Sequence, residues 1–455
     1  MVKNNKPLWL IGLILIEIVL AVSVVFNGCT FANMDAVATS DMNKNLVSRK
    51  KDWTFMVYMA ADNNLEAAAL EDFNEMEASD FDSEKINVIV LFDRNNFKDS
   101  NDLEEWRGAR MYEICKDKNG INNTICSKRI SCSDLGLGIK NEKSLDMGNP
   151  ETLRGFVKNV VNYYPAEHYG IFVWGHGTGY RNSSLQKNET RAVAVDDSSD
   201  SFMENCVVAS SIKNGMGDKK IDLLAYDTCF AAELEVVYEF SEVAEYFIGS
   251  QGIQVESGLD YRKVFTNEIG EAENGLSAAK CVAEKLSDNM KKDFSIINLS
   301  EIKNLFSSFD SFASSAASFV SSKTDGVEIR NEILSKAESF RSFESSNNPV
   351  YVNILSLADV LVKKYQNLVS YKNNLETAIK KSVVFYSGAN KNLPLGIYFC
   401  SVDNSNALIM DFSPYYCKGK NLKNQCSFVK DSSAYVLTVE KNGTLLDRLF
   451  ENYNF

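Results

Sequence analysis

The sequence predicts an α/β fold with a mostly parallel central sheet, helices on both faces, and a helical C-terminal subdomain. Three observations predict it. Short apolar runs alternate with helix-period segments between residues 53 and 300, the pattern of a sheet buried on both sides. Two of those runs end in chemistry-bearing residues, at Trp174-Gly175-His176-Gly177 and at Asp227-Thr228-Cys229. From about 300 to 380 the chain turns rich in Ser, Lys and Glu, with Ile302, Leu305, Phe306 and Phe309 at helical spacing.

Taken in order, Trp53 to Met59 is an apolar, β-branched strand that stops at Asp62-Asn63-Asn64, where short polar side chains can cap a helix. Leu65, Ala69, Phe73 and Met76 then mark the buried side of that helix. A second strand, Ile86 to Phe92, ends in Asp93-Arg94, and residues 115–145 read as a polar insertion without a clear period. Asn149-Pro150-Glu151 opens a helix through Phe156, Val157 and Val160. Ile171 to Trp174 is the next strand, followed by a polar loop over 181–191 and a short strand at Ala192 to Val195. A helix leads to the strand Ile221 to Asp227, then helix Ala231 to Phe240 and strand Ala244 to Ile248. A late strand, Leu395 to Cys400, is expected to rejoin the central sheet.

Composition narrows the function. The chain has 455 residues, 45% of them hydrophobic, and a net charge of −13, which disfavours a phosphate-binding surface and hence nucleic acid as a partner. Lys3 and Lys6 precede an apolar run from Leu8 to Phe26 that ends at Asn27-Gly28-Cys29. That pattern predicts an export signal over 1–29, with Cys29 lipidated as in a bacterial lipoprotein, the run kept as a membrane anchor, or the protein plainly secreted. All three place the body of the protein outside the cytoplasm, and the first two hold it in the cell envelope. Residues 30–50 read as a tether, 51–300 as the core and 301–455 as the C-terminal region. Among ten cysteines, Cys115, Cys126 and Cys132 cluster, as do Cys400, Cys417 and Cys426, so disulfides within each cluster are expected. No C-x-x-C occurs, and no metal-ligand set is assigned.

In open parallel sheets, ligands bind beyond the carboxyl ends of the strands. His176 and Cys229 both follow such ends, so one sheet edge gathers them. Cys229 is the expected nucleophile, and His176 the acid that protonates the leaving amine. The amides of Gly177 and Cys229 are the expected oxyanion donors. The chain has two histidines, and His168 precedes its strand, which puts it at the opposite edge.

Five blocks carry a family resemblance: Trp53 to Glu66, Trp106 to Tyr112, Met147 to Leu153, Val173 to Gly179 and Asp222 to Phe240, with a late Pro394 to Phe399. The chain resembles the clostripain family of cysteine peptidases over roughly residues 53–400. The resemblance implies a caspase-like three-layer sandwich and the dyad His176 and Cys229. It also implies cleavage of proteins or peptides after Arg or Lys, with Asp227 as an acid of the specificity pocket. A second pocket acid is expected at Glu256 or Asp260, although this loop departs from the Pro-Gly-x-Gly-Trp-like pattern of relatives. Self-processing is expected in the loop before residue 192, at Lys187 or Arg191. No cofactor is required. Some relatives use calcium, and Asp196, Asp197 and Asp200 offer oxygen ligands. The competing readings are a surface binding or adhesion protein that kept the fold without turnover, and a peptidase of the same fold with non-basic specificity.

Overall fold

The computed structural model describes residues 49–95, 106–122, 124–141, 143–179, 193–255, 257–287, 293–320, 323–341, 350–386 and 395–399. The strands are β1 (Lys51–Ala61), β2 (Ile86–Arg94), β3 (Gly108–Glu113), β4 (Lys128–Ile130) and β5 (Ala166–Trp174). They continue with β6 (Val193–Asp196), β7 (Ser201–Met203), β8 (Ile221–Asp227), β9 (Ala244–Ser250) and β10 (Phe294–Asn298). Last come β11 (Ser339–Arg341), β12 (Val350–Asn353), β13 (Val383–Tyr386) and β14 (Gly396–Tyr398). Among the described residues, nine strands form one sheet in the order β13-β10-β9-β8-β5-β1-β2-β3-β4. Its centre, β9-β8-β5-β1-β2, is wholly parallel. The outer strands pair antiparallel.

Side-chain alternation along β1 builds the layers. Trp53, Phe55, Val57 and Met59 enter one hydrophobic cluster, and Met56, Tyr58 and Ala60 enter the other. Helix α1 (Glu66–Glu77) covers the first face through Ala69, Phe73 and Met76. Helix α2 (Pro150–Tyr163) covers the second through Leu153, Phe156, Val157 and Val160. Its start follows from Asn149, whose side chain accepts the Glu151 N–H at 3.0 Å, and from Pro150 at a position that needs no N–H. Helix α3 (Asn205–Met216) packs beside α2, and the C-terminal helices join the same cluster through Leu305, Phe309, Leu361 and Ile379.

Several expectations change. Strand β5 begins at Ala166, so His168 lies inside the strand. There it is half-buried, with Nδ1 bonded to Asp222 Oδ1 at 2.8 Å and its ring stacked on Trp53. Polar residues hid this strand start, because the Asp222 carboxylate satisfies them from the neighbouring strand. Strands β6 and β7 form a separate hairpin. The late strand β14 does not rejoin the large sheet: it pairs with β12 in a three-stranded sheet, and β13 takes the outer place beside β10. The described cysteines, Cys115, Cys126, Cys132, Cys206, Cys229 and Cys281, are free thiols, so the first expected disulfide cluster is not formed. Cys132 is instead buried among apolar side chains. No helix among the described residues is long and apolar enough to cross a membrane. The predicted export signal, Cys29 and the second cysteine cluster lie outside the described residues.

Candidate active site

The carboxyl ends of β1, β5, β8 and β9 are neighbours in the sheet, and each delivers one residue to the same place. These are Asn64, His176, Cys229 and Gln254. Trp174 and Asp227 are Cα partners in the β5–β8 ladder, so His176 and Cys229 each stand two residues past a shared rung. Two glycines make that approach feasible. Gly175 has φ +135°, and a β-carbon there would sit 3.0 Å from the Ala60 carbonyl oxygen. At Gly177 a β-carbon would meet the Cys229 carbonyl oxygen at 2.5 Å and Thr228 Cβ at 2.6 Å. Only a residue without a side chain lets the His176 loop lie against the nucleophile.

Directly after Cys229 the chain reverses at Phe230, whose φ of +53° is costly for a side-chain-bearing residue, roughly 1–3 kcal/mol. Two contacts hold it: Phe230 N–H donates to Gly252 O at 3.0 Å, and its ring stacks on Tyr351 with centroids 4.9 Å apart. The Tyr351 hydroxyl in turn donates to the Thr178 carbonyl. One side chain from the C-terminal region thus ties the histidine loop to the cysteine loop.

His176 Nε2 lies 2.7 Å from Asn64 Oδ1. An amide oxygen only accepts, so Nε2 carries the proton and Nδ1 keeps a basic lone pair. Burial pushes the imidazole pKa down to about 4, so the ring is neutral at physiological pH. Cys229 Sγ accepts the Gln254 N–H at 3.3 Å. Burial raises the thiol pKa, the Gln254 N–H opposes that rise, and the Asp227 charge adds to it. Among the described residues no hydrogen bond joins His176 to Cys229. The resting pair is therefore a thiol and a neutral imidazole, not an ion pair formed in advance.

Asp227 is buried at the floor beside Cys229. It accepts from Tyr261 OH at 2.9 Å, from Leu259 N–H at 3.2 Å and from the Gln254 side-chain amide. Burial lifts its pKa to about 6 against the pull of those donors. Asp72 stands behind it and accepts Trp174 Nε1–H at 2.6 Å. Asp260 is turned elsewhere, toward Lys263 at 2.5 Å and Arg262 at 3.4 Å. Burial raises its pKa, but those two cations outweigh it and hold the carboxyl below its usual range. Asp196 is buried, whereas Asp197 and Asp200 are exposed. Glu256, Lys187 and Arg191 lie outside the described residues.

Sequence reasoning missed Asn64 and Gln254. The signal for Asn64 was present, since it follows the end of a readable strand as His176 does. It becomes informative only once β1 is known to lie beside β5.

The clostripain family model matches residues 57–417. Clostripain of Hathewaya histolytica is 30% identical over 239 residues, which is 50% of this chain and 43% of that protein, so the match spans less than half of the relative's length. Two solved structures share the fold. A secreted cysteine protease from Bacteroides thetaiotaomicron, in complex with an irreversible peptide inhibitor, aligns with TM-score 0.54 and 18% identity over 82% of this chain and 99% of that one. An inactive zymogen protease from Parabacteroides distasonis aligns with TM-score 0.58 and 16% identity, covering 85% and 99%.

Proposed function

The chain belongs to the clostripain family, and on that premise we propose that it is a cysteine endopeptidase that cleaves after Arg or Lys. The observation that carries the reading is the placement of His176 and Cys229 two residues past one shared rung of parallel strands. As Sγ attacks the scissile carbonyl carbon, its proton passes to His176 Nδ1. The oxyanion is received by the N–H groups of Gly177 and Cys229, donors of a kind each worth about 10²–10³ in kcat. His176 then hands the proton to the leaving amine, the C–N bond breaks, and an acyl-enzyme remains. Water, deprotonated by the same imidazole, releases the acid product. Asn64 keeps the ring in the Nε2–H tautomer throughout.

A substrate guanidinium or ammonium would take the place of the Gln254 amide on Asp227, a charge-assisted pair replacing a neutral donor. Self-processing at Lys187 or Arg191 is supported by their position between β5 and β6 and by the zymogen described for the Parabacteroides relative. An extracytoplasmic body, held to a membrane through Cys29 or its apolar run, is supported by the leader-like N-terminus and by the secreted Bacteroides relative.

The test uses the full chain and its Cys229→Ala variant with fluorogenic peptides ending in Arg, Lys, Asp or Leu. Turnover of the Arg and Lys peptides by the parent alone is expected, with scission of the parent chain on a denaturing gel. No turnover by either protein would leave the binding or adhesion reading in its place. A second reading has one observation behind it: Asp227 already has three donors, as a structural aspartate would. Preference for the Leu or Asp peptide would establish that non-basic specificity.

A further inference from the structure

On the sheet side, the Trp174–Asp227 rung holds His176 and Cys229, two residues before each of them. A rung alone leaves two overhanging stretches of chain that can slide past each other. A displacement of about 1 Å between reacting groups can cost about 10²-fold in rate. The dyad therefore needs a second fixed point beyond it.

Tyr351 meets both loops there. Its hydroxyl donates to the Thr178 carbonyl, two residues after His176. Its ring stacks on Phe230, one residue after Cys229, with the planes 27° apart. The same hydroxyl lies against Gly179, where a β-carbon would come within 2.7 Å of it. Residues 174–178 and 227–230 are thus each held at both ends, by a rung of the large sheet and by one tyrosine. Phe230 is the residue with the disfavoured positive φ, so the contact falls where the backbone most needs support.

A strut works only if its base is fixed. Tyr351 is 0% exposed and belongs to β12, which pairs with β11 on one side and β14 on the other. That small sheet is separate from the nine-stranded one. It is fastened to the chain that follows the cysteine: Gly396 N–H donates to Ala232 O at 2.9 Å, Gly396 bridges Glu233, and Tyr398 N–H donates to Glu235 Oε1 at 2.8 Å. Past β12, Ile354 N–H donates to Leu395 O at 3.1 Å. On the histidine side, Asn205 donates from its side chain to Gly179 O at 3.1 Å and accepts the Tyr226 hydroxyl at 3.1 Å. The carbonyls of Thr178 and Gly179 are thereby held in succession, one from the small sheet and one by way of β8.

We propose that Tyr351 is a positioning residue for the dyad. It sets the separation of His176 and Cys229 from beyond the rung, so the C-terminal region completes the active site. Filling space would need only the ring; the phenol O–H on a loop carbonyl is what couples the two loops.

The proposal rests on the peptidase reading, so one arm of its test uses no substrate. In the full chain, Tyr351→Phe keeps the ring and deletes the hydroxyl. It is expected to lower kcat for an Arg peptide about tenfold with KM unchanged, and Tyr351→Leu, which also loses the stack, about 10²-fold. Ile379→Ala is the control for stability alone, since Ile379 is buried in the C-terminal helix Val369–Ser382. It should lower Tm more than Tyr351→Phe does and keep the parent kcat. The second arm reads the imidazole resonances of the two histidines in the Cys229→Ala chain. Phenylalanine keeps the ring of residue 351, so a shift at His176 in Tyr351→Phe reports a moved loop, and His168 should not shift. Parent kcat in Tyr351→Phe, a loss in Ile379→Ala equal to that in Tyr351→Phe, or an unmoved His176 would each overturn the positioning role. No turnover in the parent would instead defeat the peptidase reading, and the His176 resonance would then decide the positioning by itself.

Discussion

Trp174 and Asp227 face each other in the last rung of the β5–β8 ladder, so one pairing sets the reach of both His176 and Cys229. His168 sits toward the other end of β5, where it pairs with Asp222. The two histidines should therefore separate in experiment. His176→Ala is expected to lower kcat by about 10²–10⁴-fold with the fold intact. His168→Ala should leave kcat unchanged and cost about 1 kcal/mol of stability, because the half-buried Asp222 carboxylate loses a partner and keeps only the Tyr169 N–H. Steady-state kinetics beside urea melts check both, and loss of turnover in His168→Ala at unchanged stability would contradict the assignment.

Asn64 touches His176 and not the reacting atoms, so its effect should fall on kcat and not on KM. Asn64→Ala is expected to reduce kcat by about 10²-fold through loss of ring orientation. Asn64→Asp gives a sharper readout. A carboxylate accepting the Nε2–H favours the protonated imidazole and raises its pKa, so the acid limb of kcat should move to higher pH. A merely structural side chain would change stability and leave that limb in place.

The sheet was legible in the sequence wherever its strands are continuous apolar runs, as at Met56 to Met59, Ile171 to Trp174 and Leu223 to Tyr226. Their ends then disclosed His176 and Cys229. Strand order was not legible, and with it went every relationship that depends on which strands are neighbours. Asn64 meets His176 because β1 lies beside β5, and Asp93 meets Asp196 although neither belongs to a recognisable motif. The strand at Gly396–Tyr398 shows the same limit: its local pattern is apolar, but the partner it finds is β12. Gln254 sits in a loop without period, and only its contacts with Sγ and with Asp227 give it meaning.

Two groups at the site titrate in different places and should divide the pH profile. His176 acts while neutral, and its pKa is pushed down to about 4, so kcat should persist until the pH approaches that value. Asp227 must be ionised to take a cationic side chain, and its pKa is pushed up to about 6. As pH falls through 6 it gains a proton, and kcat/KM for Arg peptides should drop about tenfold per unit while kcat holds. Asp227→Asn should remove the limb near 6 and keep the one near 4. Coincident limbs for kcat and kcat/KM would show that Asp227 does not meet the substrate charge.

Gln254 spans both halves of the site, its N–H on the Cys229 sulfur and its side-chain amide on Asp227. A cationic substrate side chain has to displace that amide, so the amide should weaken binding. Gln254→Ala keeps the backbone N–H and deletes the competitor. It is expected to lower KM for Arg peptides by about tenfold, the equivalent of one charged hydrogen bond, with kcat unchanged. KM for a Leu peptide, which makes no claim on Asp227, should not move. Gln254→Glu should act in the opposite direction, since a second carboxylate beside Asp227 drives its pKa further up and disfavours the ionised form. If Gln254→Ala raised KM for Arg peptides instead, the amide would be holding Asp227 in its working position, not competing for it. The sign of that one change tells a scaffold from a plug.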